Sequence, residues 1–230
     1  MNITYFGHSA FALTTGGQSV LIDPFISGSL HMRGKSIPQE LHFANIILTH
    51  GHGDHVGDTE SLAKAHKAEI IAVPELAGIM AQKGLKATGC ALGGKIKFPW
   101  GWMRFVQAVH TSSYGDRYAG IAVGVLVNMD GVTVYHAGDT AVFGDMSLIG
   151  KMYKPDVMLL PIGGHFTMDM EEALEAVKLV KPRLAIPMHY NTFPVIQADP
   201  NEFAQIVASD PDTKDITKVK VMQVLENIGL

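Results

Sequence analysis

Cysteine is almost absent. Cys90 stands alone among 230 residues, so no disulfide can form within the chain. Stability must come from a packed core, and such a chain suits a reducing compartment. No uninterrupted apolar run approaches the roughly 18 residues that a membrane-spanning helix needs, so no membrane partner is expected. An excess of positive charge is also lacking. Lys and Arg number 18 against 22 Asp and Glu, a net charge of −4, and no basic run marks a nucleic-acid footprint. The N-terminus has no basic segment followed by an apolar one, so no secretory signal is expected and the cytoplasm is the expected location. No low-complexity tract or linker interrupts the chain, and residues 1–230 are read as one domain.

What is present is apolar and rich in turns. Hydrophobic residues make up 47% of the chain, enough for a sizeable core, and 24 Gly with 11 Pro imply many reversals. Short apolar runs read as strands at 3–6, 10–14 and 19–22. They form an antiparallel meander at a sheet edge, with Gly16-Gly17 as a hairpin signal. Residues 25–43 show no period and read as a long loop with room for a helical turn, the kind that often serves as a lid or binding loop. Strands are expected at 45–49, 69–73, 95–98 and 103–109. Helices are expected over about 58–67 and 74–83, the second with Pro74 in its first turn and Gly84 as its stop. Residues 118–128 and 132–136 form a hairpin across Met129-Asp130-Gly131. Beyond it come a helix over 141–151, a strand over 156–160 and a helix capped by Asp169, with Glu172 three residues on, that runs to Val180. A strand over 184–188, a helix over 201–209 and a last strand over 219–224 complete the chain.

One stretch carries chemistry: His50-Gly51-His52-Gly53-Asp54-His55. It places three imidazoles and a carboxylate within six residues, the donor types of a catalytic zinc-type ion. A buried strand precedes it and a helix follows, so the cluster sits on a loop leaving a strand end, where rigid elements hold ligands in place. His110, Asp139, His165 and His189 each also follow a buried strand. Ligands scattered along a sequence must converge to share an ion, and strand ends on one rim of a sheet converge. His165 follows Gly163-Gly164, which lets the backbone bend tightly and approach a ligand. An imidazole there can donate a proton to a leaving group or hold a developing oxyanion. His8, in Gly7-His8-Ser9 after the first strand, is placed near the same rim. His66 and His136 read as surface or packing residues, and His31 and His42 as solvated loop residues. Tyr190 and Asn191 are candidates for the pocket wall. With no cysteine among the candidates the donors are all nitrogen and oxygen, which suits zinc, manganese, iron or nickel without choosing among them.

The run from His50 to His55 resembles the signature of the metallo-β-lactamase superfamily. The redox-active di-iron members of that family carry Glu at the second His position and Asp at the fourth, whereas His52 and Asp54-His55 here resemble the hydrolytic branch. Five further stretches narrow the match: Gly7-His8-Ser9, Leu21-Ile22-Asp23-Pro24, Tyr135-His136-Ala137-Gly138-Asp139-Thr140, the run from Leu160 to Met168, and the run from Ile186 to Phe193. They are similar to a bacterial and archaeal subgroup of small metal-dependent hydrolases. That subgroup is similar to L-ascorbate-6-phosphate lactonase and, more distantly, to the phospholipase D that cleaves N-acyl phosphatidylethanolamine. The resemblance covers essentially the whole chain.

The resemblance implies an α/β fold, the four-layer αβ/βα sandwich, in which two mixed β-sheets pack face to face with helices outside and the site at one rim. It also suggests a weak internal duplication. It implies two divalent ions, with zinc the expectation for a hydrolase and manganese allowed by the relatives. His50, His52 and His110 would hold one ion, Asp54, His55 and His189 the other, and Asp139 would bridge them. Asp23 would support the ligands from behind; the other reading is an Asp that opens a turn before Pro24. The implied chemistry is attack on a small ester or lactone by a water that the ions have acidified, with Asp54 in proton handling and His165 as a further catalytic group. A phosphodiesterase acting on a small phosphodiester and a metal-binding protein without turnover are the alternatives. The expected partner is a small-molecule substrate and not nucleic acid, with assembly as a homo-oligomer left open.

Overall fold

Period-two alternation builds the framework. The computed structural model describes residues 1–230. The first half contributes strands β1 (Asn2–Tyr5), β2 (Phe11–Thr15), β3 (Gln18–Ile22), β4 (Phe43–Ile47), β5 (Glu69–Ala72) and β6 (Ala87–Gly89), with helices α1 (Gly53–Val56), α2 (Thr59–His66) and α3 (Pro74–Gln82). The second half contributes β7 (Lys95–Phe98), β8 (Gly101–Gln107), β9 (Ser113–Tyr114), β10 (Arg117–Tyr118), β11 (Val123–Met129) and β12 (Val132–His136). There follow α4 (Met146–Tyr153), β13 (Val157–Pro161), α5 (Met170–Val180), β14 (Leu184–Met188), α6 (Pro200–Ser209), β15 (Lys218–Val219) and β16 (Asn227–Gly229). None of the helices is long and apolar enough to cross a membrane.

Two seven-stranded mixed sheets result, ordered β16-β1-β2-β3-β4-β5-β6 and β15-β14-β13-β12-β11-β8-β7. Alternate residues of the second sheet face opposite ways, as the strand pleat requires. Val125, Val127, Val134, Val157, Leu159 and Ile186 join the large core cluster that also holds Ile3, Val20, Ile46 and Ile70 of the first sheet. Leu126, Tyr135, Met158, Leu160 and Ala185 pack instead with α4, α5 and α6. The architecture is the αβ/βα sandwich. The duplication is visible in the pairing: each sheet passes from an antiparallel meander to parallel strands, at β3–β4 in one and at β12–β13 in the other.

Several expected elements shift. The meander is not left as an edge, because Asn227–Gly229 pairs antiparallel with β1 and covers it. The strand expected over 219–224 is only Lys218–Val219; the chain then turns through Leu225 at φ 68 toward that covering position. The strand expected from Tyr118 starts at Val123, since Arg117–Tyr118 folds back on Ser113–Tyr114 as a separate two-stranded ribbon. The helix expected from Ala141 starts at Met146, because the preceding segment is tied to the β8 exit by the Ala141 amide donating to the Val109 carbonyl at 3.1 Å. Ala87–Gly89 is a strand that had no signal of its own; its pairing with β5 is parallel and non-local.

Candidate metal centre

The exits of β4, β8, β12 and β14 meet on one rim, so residues up to 139 positions apart in sequence share a few ångströms of space. The motif expected on a loop is partly helical: His52 is the N-cap of the one-turn helix that carries Asp54 and His55. Gly51 is required by contact, since a Cβ there would lie 2.6 Å from the Ala119 Cβ and 2.8 Å from the Ser113 carbonyl oxygen. Gly163 is required similarly. A Cβ there would lie 2.2 Å from the His189 carbonyl oxygen, so the bend expected to approach a ligand instead lets the β13 exit pack on the loop that bears His189.

Two donor groups form. Nitrogens of His50, His52 and His110 lie within 4.8 Å of one another, and so do ligand atoms of His8, Asp54, His55 and His189. Asp139 touches members of both. Its Oδ1 lies 3.1 Å from His55 Nε2, and its Oδ2 lies 3.1 Å from His189 Nε2, 3.6 Å from His110 Nε2 and 3.9 Å from His50 Nε2. All seven residues expected from the resemblance as ligands are therefore brought together.

The donors fit a divalent ion on their own geometry. His55 Nε2, Asp139 Oδ1 and both ring nitrogens of His189 are buried without a hydrogen-bond partner. His55 Nε2 and His189 Nε2 come within 3.1 Å of Asp139 oxygens without making a well-directed hydrogen bond to them. Buried polar atoms left in that state are costly. His50 Nε2 and His52 Nδ1 face each other at 3.0 Å. Ligands held about 2.1 Å from a tetrahedral ion stand roughly 3.4 Å apart, and the separations of 3.0, 3.1, 3.6 and 3.9 Å bracket that edge.

Behind the donors lies Asp23, buried and at φ 46. It accepts from His55 Nδ1 at 2.7 Å, from the Thr49 amide at 2.8 Å and from Thr49 Oγ1 at 2.6 Å. Thr49 Oγ1 in turn lies 3.0 Å from His50 Nδ1, which donates to it because the hydroxyl proton is used on Asp23. One carboxylate thus sets both imidazoles with Nε2 toward the site, the usual arrangement behind a metal-binding histidine. Asp23 also stands at a turn, so the other reading of this residue describes its backbone.

Burial and neighbours tune the charges. Burial alone would lower His55, but the flanking Asp139 and Asp23 carboxylates hold it well above the ordinary histidine value. Burial works to raise Asp139, yet His55 and His189 hold it well below the carboxylate range. Burial lowers His50, His52 and His110, which leaves them neutral as ligands must be.

The cluster opens on a cavity of about 330 Å³ lined by His52, Asp54, His110, Thr111, Asp139, Phe166 and His189. Its neighbour His165 is exposed, sits at φ 56 with its ring 4.4 Å from that of Phe166, and is not part of the lining. His8 is fully buried inside the second donor group, and His136 is buried with Nε2 on the Ser9 carbonyl. The sequence reading missed Phe166 and Thr111, which carry no metal-ligand signal and matter only through their place on the wall.

A family model described as the β-lactamase superfamily domain matches residues 2–189. The chain belongs to the metallo-β-lactamase superfamily. It is 45% identical over 212 residues to a UPF0173 metal-dependent hydrolase of Anoxybacillus flavithermus, covering 90% of this chain and 93% of that one. It is equally identical to a relative of the same description from Archaeoglobus fulgidus, covering 90% of each chain. Among solved structures it is similar to Igni18, a metallo hydrolase of Ignicoccus hospitalis. That match has 39% identity and a TM-score of 0.88, with 99% of this chain and 97% of that one covered.

Proposed function

We propose that this metal-dependent hydrolase holds two divalent ions and cleaves a small ester or lactone. The observation that carries the reading is Asp139, wedged between three imidazoles on one side and Asp54, His55 and His189 on the other, with buried donor atoms lacking protein partners. His50, His52 and His110 would hold one ion and Asp54, His55 and His189 the other, with Asp139 between them. Zinc suits the all-nitrogen and oxygen donor set of a hydrolase. When bound, such ions acidify water toward a pKa of about 7 and offset the negative charge that develops in hydrolysis.

The rest falls to the protein. The exposed sides of His52, Asp54 and His110 face the cavity, so a substrate enters there. Burial works to raise Asp54, but the hydrogen bond from His8 and the neighbouring His55 together hold it below the usual carboxylate range, so it faces the cavity as a carboxylate. Phe166 supplies an apolar wall. A volume of 330 Å³ lies at the low end of ligand pockets, which supports a small substrate. The lining contains no Lys or Arg. That favours a neutral ester or lactone over a phosphodiester, whose charged oxygens gain most from Lys and Arg. His165 would act only from the rim.

The test is metal content together with hydrolysis of lactones and of bis-nitrophenyl phosphate on the same metal-defined sample. Two ions per chain, preference for the lactones and loss of turnover in His52→Ala are expected. Preference for the phosphodiester would shift the substrate class, and two ions with no turnover on either would favour a binding protein.

A further inference from the structure

His8 differs from the other imidazoles of its group. His55 Nε2 and His189 Nε2 lack protein partners, whereas both ring nitrogens of His8 have one. Nε2 lies 3.2 Å from Asp54 Oδ2 and Nδ1 lies 2.9 Å from Thr192 Oγ1. An ionised carboxylate only accepts, so Nε2–H donates to Asp54 and, in the neutral ring, Nδ1 accepts from the Thr192 hydroxyl.

The ring has no freedom to do otherwise. It is fully buried, with ring centroids of His189 at 4.1 Å, His55 and Phe25 at 5.5 Å and Phe193 at 5.7 Å. Its backbone is held at φ 52, uncommon for a residue with a Cβ, by the His189 amide and the Tyr5 hydroxyl, both of which donate to its carbonyl at 3.0 and 3.2 Å. A strained backbone with a locked ring, all directed at one carboxylate, is the kind of cost retained where geometry matters.

We propose that His8 is a positioning residue for Asp54. The Thr192–His8–Asp54 chain turns that carboxylate toward His55 and His189 and thereby sets the strength of the second ion site. The inference rests on the two-ion reading above. It makes His8 a partner of a ligand, two steps from any ion, and Thr192 a partner of that partner, three steps away.

The experiment is titration of metal-free protein with Co²⁺ against a competing chelator, for wild type, His8→Ala, His8→Gln and Thr192→Val. Wild type is expected to take up two ions. In His8→Ala one of the two ions should lose about 10–100-fold in affinity while the other is unchanged. His8→Gln keeps an amide donor and should recover part of the loss. Thr192→Val should weaken the same ion by a smaller factor, and it carries the test if His8→Ala fails to fold. At saturating Co²⁺ the visible absorption of His8→Gln should keep the wild-type intensity, because no ligand is lost. Two ions in wild type with unchanged affinities in His8→Ala and Thr192→Val would overturn the proposal alone. A cobalt spectrum that loses a nitrogen ligand in His8→Gln would overturn it by making His8 a ligand. Fewer than two ions in wild type would sink the two-ion reading and this proposal with it.

Discussion

Asp23 reaches His55 directly and His50 through Thr49, so exchanging its carboxylate for an amide disturbs both donor groups at once. In Asp23→Asn the amide oxygen can still accept from the Thr49 amide, but the NH2 then takes the place of Oδ2 and faces both the His55 N–H and the Thr49 hydroxyl. Metal affinity is expected to fall by about 10–100-fold at both sites, read by chelator competition with the fold checked by circular dichroism. Unchanged affinity would show that the rings hold their orientation without it. At this scale the sequence was informative where chemistry is written in residue type. The run His50 to His55, and Asp139 after its strand, named donors that the fold does bring together. It was less informative where a role depends on a contact. His8 and His165 are both histidines beside glycine at strand exits, yet one is fully buried on Asp54 and the other is exposed at the rim.

Elements with local signals formed where they were expected. The Asp130-Gly131 turn closes the β11–β12 hairpin, and Pro74 opens α3. Asp169 accepts from the Glu172 amide at 2.9 Å and starts α5 where the capping pattern placed it. Removing that cap in Asp169→Ala should cost about 1 kcal/mol, lowering Tm by roughly 2–4 °C in a chain of this size, with hydrolysis unchanged because Asp169 touches no donor. A larger loss would mean that the loop from Gly163 to Met168 unravels with the helix end. Elements whose only support is a distant partner were not legible. β16 exists because β1 offers an unpaired edge, and β6 because β5 does.

For the whole molecule, the candidate donors come from loops of both halves of the chain, so bound divalent metal should stabilise the fold as well as serve chemistry. Stripping them with a chelator and restoring zinc at about 100 times its Kd is expected to add about 2.7 kcal/mol per site, a rise in Tm of roughly 5–10 °C for each. Differential scanning fluorimetry would show it, and a Tm insensitive to metal would mean that the apo cluster is already satisfied. The sequence shows no basic run, yet folding gathers Lys151, Lys154, Lys181 and Arg183 around a cavity of about 720 Å³ where β13 and β14 begin, the end opposite the metal centre. The same convergence acts at the other rim. Asp23 and Asp139 hold matching places, each after the last antiparallel strand before parallel pairing starts, and one backs the donors while the other joins them. By itself the sequence determined the donor types, the strand and helix periods and the family, because these are local patterns of residue type. Only the tertiary structure decided which donor atoms converge, which imidazole is spent on a neighbouring carboxylate and what lines the cavity. Those depend on ångström-scale distances between segments that the chain keeps far apart.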